Sequence, residues 1–225
     1  MRRILFFFIF CNIAFGQQNH NQVIKSLKDS INLYRHSNPD KALNFGFEVL
    51  KIADFSNPTF DLVAVHSKIG EILYYRGLYS EAIGFYNESL KLHESLPLDY
   101  RIEKKIINPP WLLLNIGNIY FVNNDYDNAA IKYNEALANF KLFENTVTKN
   151  YGFSTVYDNL GSISENKGDF KLAEEYYLRA YDIRKKNNKI EDLLYSEMRL
   201  MRLNMKQNNM FNVNKHFIEI ERLYS

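Results

Sequence analysis

The chain has 225 residues with 28 basic and 26 acidic side chains, a near-balance that excludes the basic excess by which nucleic-acid-binding surfaces displace counterions. Its single cysteine excludes a disulfide framework and a thiolate metal cluster, so the fold must rest on packing.

At the start, Met1-Arg2-Arg3 precedes an apolar run from Ile4 to Phe10, and small Ala14 and Gly16 stand just before the chain turns polar at Gln17. Two arginines, a short apolar run and a small-residue exit have the form of a secretory signal peptide. Cleavage is expected between Gly16 and Gln17, giving a signal peptide at 1–16 and a folded domain at 17–225 that is exported, periplasmic or secreted. Lipid anchoring through Cys11 would need a small neighbour where bulky Phe10 stands, which argues against it. Cleavage removes the only cysteine, and without Arg2 and Arg3 the two charge signs match. No later apolar run is long enough for a transmembrane helix.

Beyond that segment Leu, Ala, Lys and Glu fill helical periods, while Gly and Pro fall between them and no run reads as a strand. Five helix pairs are expected: residues 20–36 with 39–55, 59–76 with 80–95, 110–123 with 127–144, 151–167 with 170–187, and 190–208 with 211–224. Asn38-Pro39 has the form of an N-cap followed by a first-turn proline. The longest connection, 96–109, ends with Asn108 placed to cap the helix that starts near Trp111.

The middle three pairs share one frame of glycine, alanine twelve residues on, tyrosine at sixteen and a small residue at nineteen: Gly70, Ala82, Tyr86, Ser89; Gly117, Ala129, Tyr133, Ala136; Gly161, Ala173, Tyr177, Ala180. Small residues mark where two antiparallel helices cross closely, and the tyrosine one turn past the alanine fills the gap beside the crossing. Turns at Gly77-Leu78-Tyr79, Asn124-Asp125-Tyr126 and Gly168-Asp169-Phe170 put Gly or Asn where a left-handed C-cap belongs. In the last pair the frame loosens: Asn209 and Phe211 fit the turn, Asn214 stands for the alanine and Arg202 for the glycine.

This frame resembles the tetratricopeptide repeat, with spacings longer than the usual period of about 34 residues. In that respect it is similar to the extended repeats of kinesin light chains and of bacterial peptide-sensing regulators. The resemblance implies an all-α, right-handed superhelical α-solenoid of about five antiparallel pairs. It also implies a non-catalytic scaffold that holds an extended peptide or protein segment in a concave groove lined by first helices. Helical geometry puts Lys68, Glu71 and Tyr75 of the second pair on that face, with Asn115, Asn118 and Phe121 of the third and Asp158, Asn159 and Ser162 of the fourth. Leu114 and Glu165 fall on it too. Asn115 and Asn159 hold equivalent places, where the resemblance implies an amide ladder bonding a ligand's backbone; Lys68 and Leu200 stand there in the second and last pairs.

The same asparagines also suit a solvated helix face, or ties between neighbouring helices. Arg199 and Lys206 with Arg202 between them form a strip suited to an acidic ligand or a peptide C-terminus. His66 and the methionines 198, 201 and 205 fall on packing positions and are expected in the core. No phosphate loop, H-E-x-x-H motif or nucleophile elbow is present, so no enzyme and no cofactor is expected. Two other uses stay open: a sensor-type ectodomain or remnant of a signalling or transcriptional regulator, and an enzyme whose site is assembled from distant residues. No polar capping helix follows the last pair: either its second helix caps itself through Glu219, Glu221 and Arg222, or its free side packs on a partner, as in a homodimer through that pair, or a longer ancestor has lost its remainder.

Overall fold

In a computed structural model, which describes residues 20–103, 109–187 and 189–224, all regular structure is helical. The helices are α1 (20–34), α2 (Pro39–Ile52), α3 (Phe60–Tyr75), α4 (Tyr79–Ser95), α5 (Leu98–Glu103), α6 (Pro110–Val122), α7 (Tyr126–Phe140), α8 (Thr146–Asn166), α9 (Phe170–Asn187), α10 (Ile190–Lys206) and α11 (Met210–Tyr224). They form two compact units that divide after Ile107. The expected signal peptide and Asn108 lie outside the described residues.

In the first unit α2 packs on α3 and α3 on α4. Asn38 caps α2 as its spacing predicts, its side chain accepting from the Lys41 amide at 3.1 Å. A Cβ at Gly70 would stand 2.8 Å from the Tyr86 ring, so only glycine lets that buried ring lie against α3. In the first pair the pattern inverts. Gly46 of α2 takes the tyrosine's place, and the space is filled by Ile69 of α3, whose Cγ1 would be 2.7 Å from a Cβ there. Ser89 ties α4 to α3 by donating to the Val63 carbonyl at 2.8 Å. His66 is a core histidine as expected, its Nδ1 2.9 Å from the Leu62 carbonyl and its ring between Phe55 and Phe85.

The second unit repeats the crossing twice. A Cβ at Gly117 would lie 2.6 Å from Tyr133, and one at Gly161 2.5 Å from Tyr177. Both rings are fully buried, each contributing roughly 1.5–3 kcal/mol of apolar burial. α8 starts at Thr146, ahead of the expected 151. Asn145 caps it by accepting from the Thr148 amide at 2.9 Å, and Gly152 admits the buried Phe140 ring against its first turns. The connection before α6 contains the short helix α5, which its prolines do not announce.

Four turns share one geometry. Gly77, Asn124, Gly168 and Asn208 have positive φ, and each is followed by a residue whose amide reaches five residues back, as in Leu78 to Leu73 and Asn209 to Asn204. This geometry moves the last turn to Asn208-Asn209-Met210, one residue before its expected place. Val213, which is buried, therefore takes the alanine position and Met201 the glycine position, while Asn214 is exposed. The methionines are corrected with it: Met198 and Met205 are 55% and 56% exposed, because the shift turns them out of the core. Phe217 falls at the tyrosine position but is half exposed, since Met201 leaves no gap for a ring.

Candidate functional site

On α3 two of the expected groove residues, Lys68 and Glu71, are tied down. The Glu71 carboxylate accepts from Lys68 at 2.7 Å and from Arg35, in the turn just after α1, at 3.0 and 3.1 Å. Tyr75 is exposed, its ring 5.5 Å from that of Tyr74, which in turn lies 5.5 Å from Tyr79.

In the second unit the first helices are α6, α8 and α10, and the corrected register aligns Asn115, Asn159 and Arg199; Leu200 is buried one place away. Asn118 Oδ1 accepts from Asn159 Nδ2 at 3.2 Å and from the Tyr133 hydroxyl at 2.8 Å, so the amides join α6 to α8. This bond orients both side chains: Asn118 keeps its amino group as a donor and Asn159 its carbonyl as an acceptor. Asn115 is half-buried and its side chain makes no hydrogen bond among the described residues. Phe121 is half-buried against Tyr126, ring centroids 5.7 Å apart. Ser162 accepts from Arg199 at 2.7 Å. Trp111 packs edge-on to Phe140 at 4.5 Å.

Three expected groove residues require correction. Leu114 is buried in the core, where α6 meets its neighbours. Asp158 is 3% exposed and ion-paired to Arg184 at 2.5 Å, and Arg184 also donates to Ser196 at 2.9 Å. Burial pushes the Asp158 carboxyl above the ordinary range, against the pull of Arg184 and Arg199. Glu165 is buried and accepts from Tyr177 at 2.6 Å, Lys206 at 2.7 Å and Arg202 at 3.0 Å. Burial would raise its carboxyl, but Lys206, Tyr177 and Arg202 together hold it below the ordinary range. For Tyr177, burial and then the bond to Glu165 push the phenol up.

The basic strip is accordingly committed within the unit. Arg202 and Lys206 hold Glu165, while Arg199 donates to Ser162 and to the Tyr195 hydroxyl at 2.5 and 2.9 Å. Beside it opens a pocket of about 320 Å³ lined by Tyr151, Thr155, Asp158, Asn159, Arg184, Asp192 and Tyr195. A frame anchored on Gly161 does not reach Tyr151, Asp192 or Tyr195. Arg184 carried a visible signal, a guanidinium on the face of α9 that also holds Ala173, Tyr177 and Ala180. Among the described residues no helix is long and apolar enough to cross a membrane, and no three His, Cys, Asp or Glu side chains converge as metal ligands.

The tetratricopeptide repeat family matches residues 154–187, most of α8 with α9. The photosystem I assembly protein Ycf3 of Acaryochloris marina is 30% identical over 122 residues, covering 54% of this chain and 66% of that protein, just under two thirds of its length. Among solved structures, BtubC (BKLC) from P. vanneervenii gives a TM-score of 0.71 at 18% identity, covering 94% of this chain and 89% of that one. A putative kinesin light chain from P. anserina with nearly identical TPR-like repeats gives 0.65 at 13% identity, covering 89% and 93%. MamA from Desulfovibrio magneticus RS-1, residues 41 to the end, gives 0.57 at 15% identity, covering 90% and 95%. These likenesses establish the fold as an all-α solenoid of tetratricopeptide-type helix pairs.

Proposed function

We propose that this chain, a tetratricopeptide-repeat protein, is a non-catalytic interaction scaffold whose second unit binds an extended peptide or protein segment across α6 and α8. The observation that carries this reading is the orientation of the amides. Asn118 offers a donor and Asn159 an acceptor from adjacent helices, with the uncommitted amide of Asn115 beside them. An extended backbone presents C=O and N–H in alternation and is complementary to that set. The pocket walled by Tyr151 and Tyr195 supports the same reading as a place for a ligand side chain. Similarity to a protein named for assembly supports a scaffold over an enzyme. Export to the periplasm or the medium is part of the proposal, supported by the form of residues 1–16.

The test is a peptide array probed with the chain. One or more peptides should bind, and the Asn115→Ala, Asn159→Ala double variant should keep its helical circular dichroism while losing affinity about tenfold or more. Undiminished binding by the variant, or binding to no peptide, overturns the proposal. Export is checked separately by N-terminal sequencing of the chain from the extracytoplasmic fraction, which should begin at Gln17.

A further inference from the structure

We propose that α11 is the contact face of a symmetric homodimer, in which two copies of this helix pack antiparallel about a two-fold axis between Phe217 and Ile218. At 3.6 residues per turn, Phe211, Asn214, Phe217, Ile218, Glu221 and Tyr224 fall within an arc of about 140°. All six are exposed, the four apolar ones by 81%, 51%, 64% and 77% in chain order. Four large apolar side chains exposed on one helix face mark an interaction surface.

The order of the stripe selects the partner. It runs apolar, polar, apolar, then apolar, polar, apolar, and reads the same from either end. A two-fold axis requires such a self-complementary surface, because each residue meets the counterpart that its own copy presents in return. Antiparallel pairing about this axis sets Phe217 of one copy against Phe217 of the other and Ile218 against Ile218, with Phe211 and Tyr224 flanking them on the two sides of the seam. It also sets the Asn214 amide, a donor, on the Glu221 carboxylate, an acceptor, twice over. The exposed aromatic and aliphatic surface amounts to roughly 500–700 Å² per copy, approaching the ~800 Å² per partner of a standard interface. A groove of about 800 Å³ between α9 and α11, where Leu178, Leu200, Phe211 and Ile218 lie beside the charged Lys185 and Glu219, borders the stripe and receives the flank of the second helix.

Sedimentation equilibrium of the full chain tests this against the 26.6 kDa monomer. The unaltered chain should sediment at twice that mass and Ile218→Lys as a monomer, with unchanged helical circular dichroism. Asn214→Asp, which sets carboxylate against carboxylate at both symmetric places, should raise the dimer dissociation constant about tenfold or more. Adding Glu221→Lys to Asn214→Asp should restore it, a rescue that misfolding cannot imitate. A chain monomeric at every concentration, a dimer indifferent to these substitutions, or a monomer that uses α11 to bind lipid vesicles overturns the proposal.

Discussion

The clearest test of the packing frame compares two Gly→Ala substitutions. Gly161 and Gly84 both lie inside helices, so each gains about 1 kcal/mol of helix propensity when replaced. Their surroundings differ. At Gly84 nothing lies within 4 Å of an added Cβ, whereas at Gly161 that carbon meets Tyr177 at 2.5 and 2.7 Å. Comfortable carbon contacts lie near 3.5–4.0 Å, so the ring must move by about 1 Å. It has nowhere to go, because it is fully buried and its hydroxyl donates to Glu165 at 2.6 Å. Overpacking of this kind costs about 1–3 kcal/mol, and because the propensity gain is common to both sites, the difference between the variants isolates that cost. Urea unfolding followed by circular dichroism should place Gly84→Ala at or above the unaltered chain and Gly161→Ala about 1–3 kcal/mol below Gly84→Ala. If the two differ by less than about 0.5 kcal/mol, the close approach of α8 to α9 is wrong.

Gly168→Ala should lose about 1 kcal/mol in the same assay, since φ is +82° there and an L side chain is strained; Asn124→Gly should be neutral or stabilising, and a reversed order would discount the turn geometry. Removing one member of the buried Asp158–Arg184 pair, as in Asp158→Leu or Arg184→Met, should cost about 3–5 kcal/mol, and the double replacement less than either. Equal, additive losses would mean the charges do not depend on each other. Glu165 carries a pH signature. Its folded carboxyl titrates below the ordinary value of 4.5, so between the two the unfolded chain binds the extra proton. That stabilisation is present above pH 4.5 and disappears as pH falls through the folded value. Melting temperatures measured through that acid range should fall less steeply for Glu165→Gln, and parallel curves would remove the network from the account of acid stability.

The helix pairs were readable because the features that define them are local or strictly spaced. A glycine and a tyrosine at a fixed separation can only mark a crossing, and a Gly or Asn before each second helix marks the turn. The last pair was misread by one residue because Phe211 matched the aromatic of earlier turns, whereas the backbone turns at Asn208. The turn at Asn208 faces Met198 and Met205 outward and puts Arg199, not Leu200, in the aligned row. Asp158 and Arg184 were opaque for a different reason. Each occupies a plausible polar position on its own helix, and only the packing of α8, α9 and α10 shows that they meet, buried, with Ser196. The link between Asn118 and Asn159 depends likewise on how two helices separated by a whole repeat lie side by side.

The inverted crossing at Gly46 bears on the order in which the chain assembles. Its notch holds Ile69 from α3, with Ile31 of α1 further off, so the wedge for the first pair is borrowed from the second. α3 and α4 hold their own wedge in Tyr86 and can close without outside help. The N-terminal pair, although made first by the ribosome, therefore has to wait for α3 before its crossing is filled, and amide exchange should show α1 and α2 opening whenever α3 does.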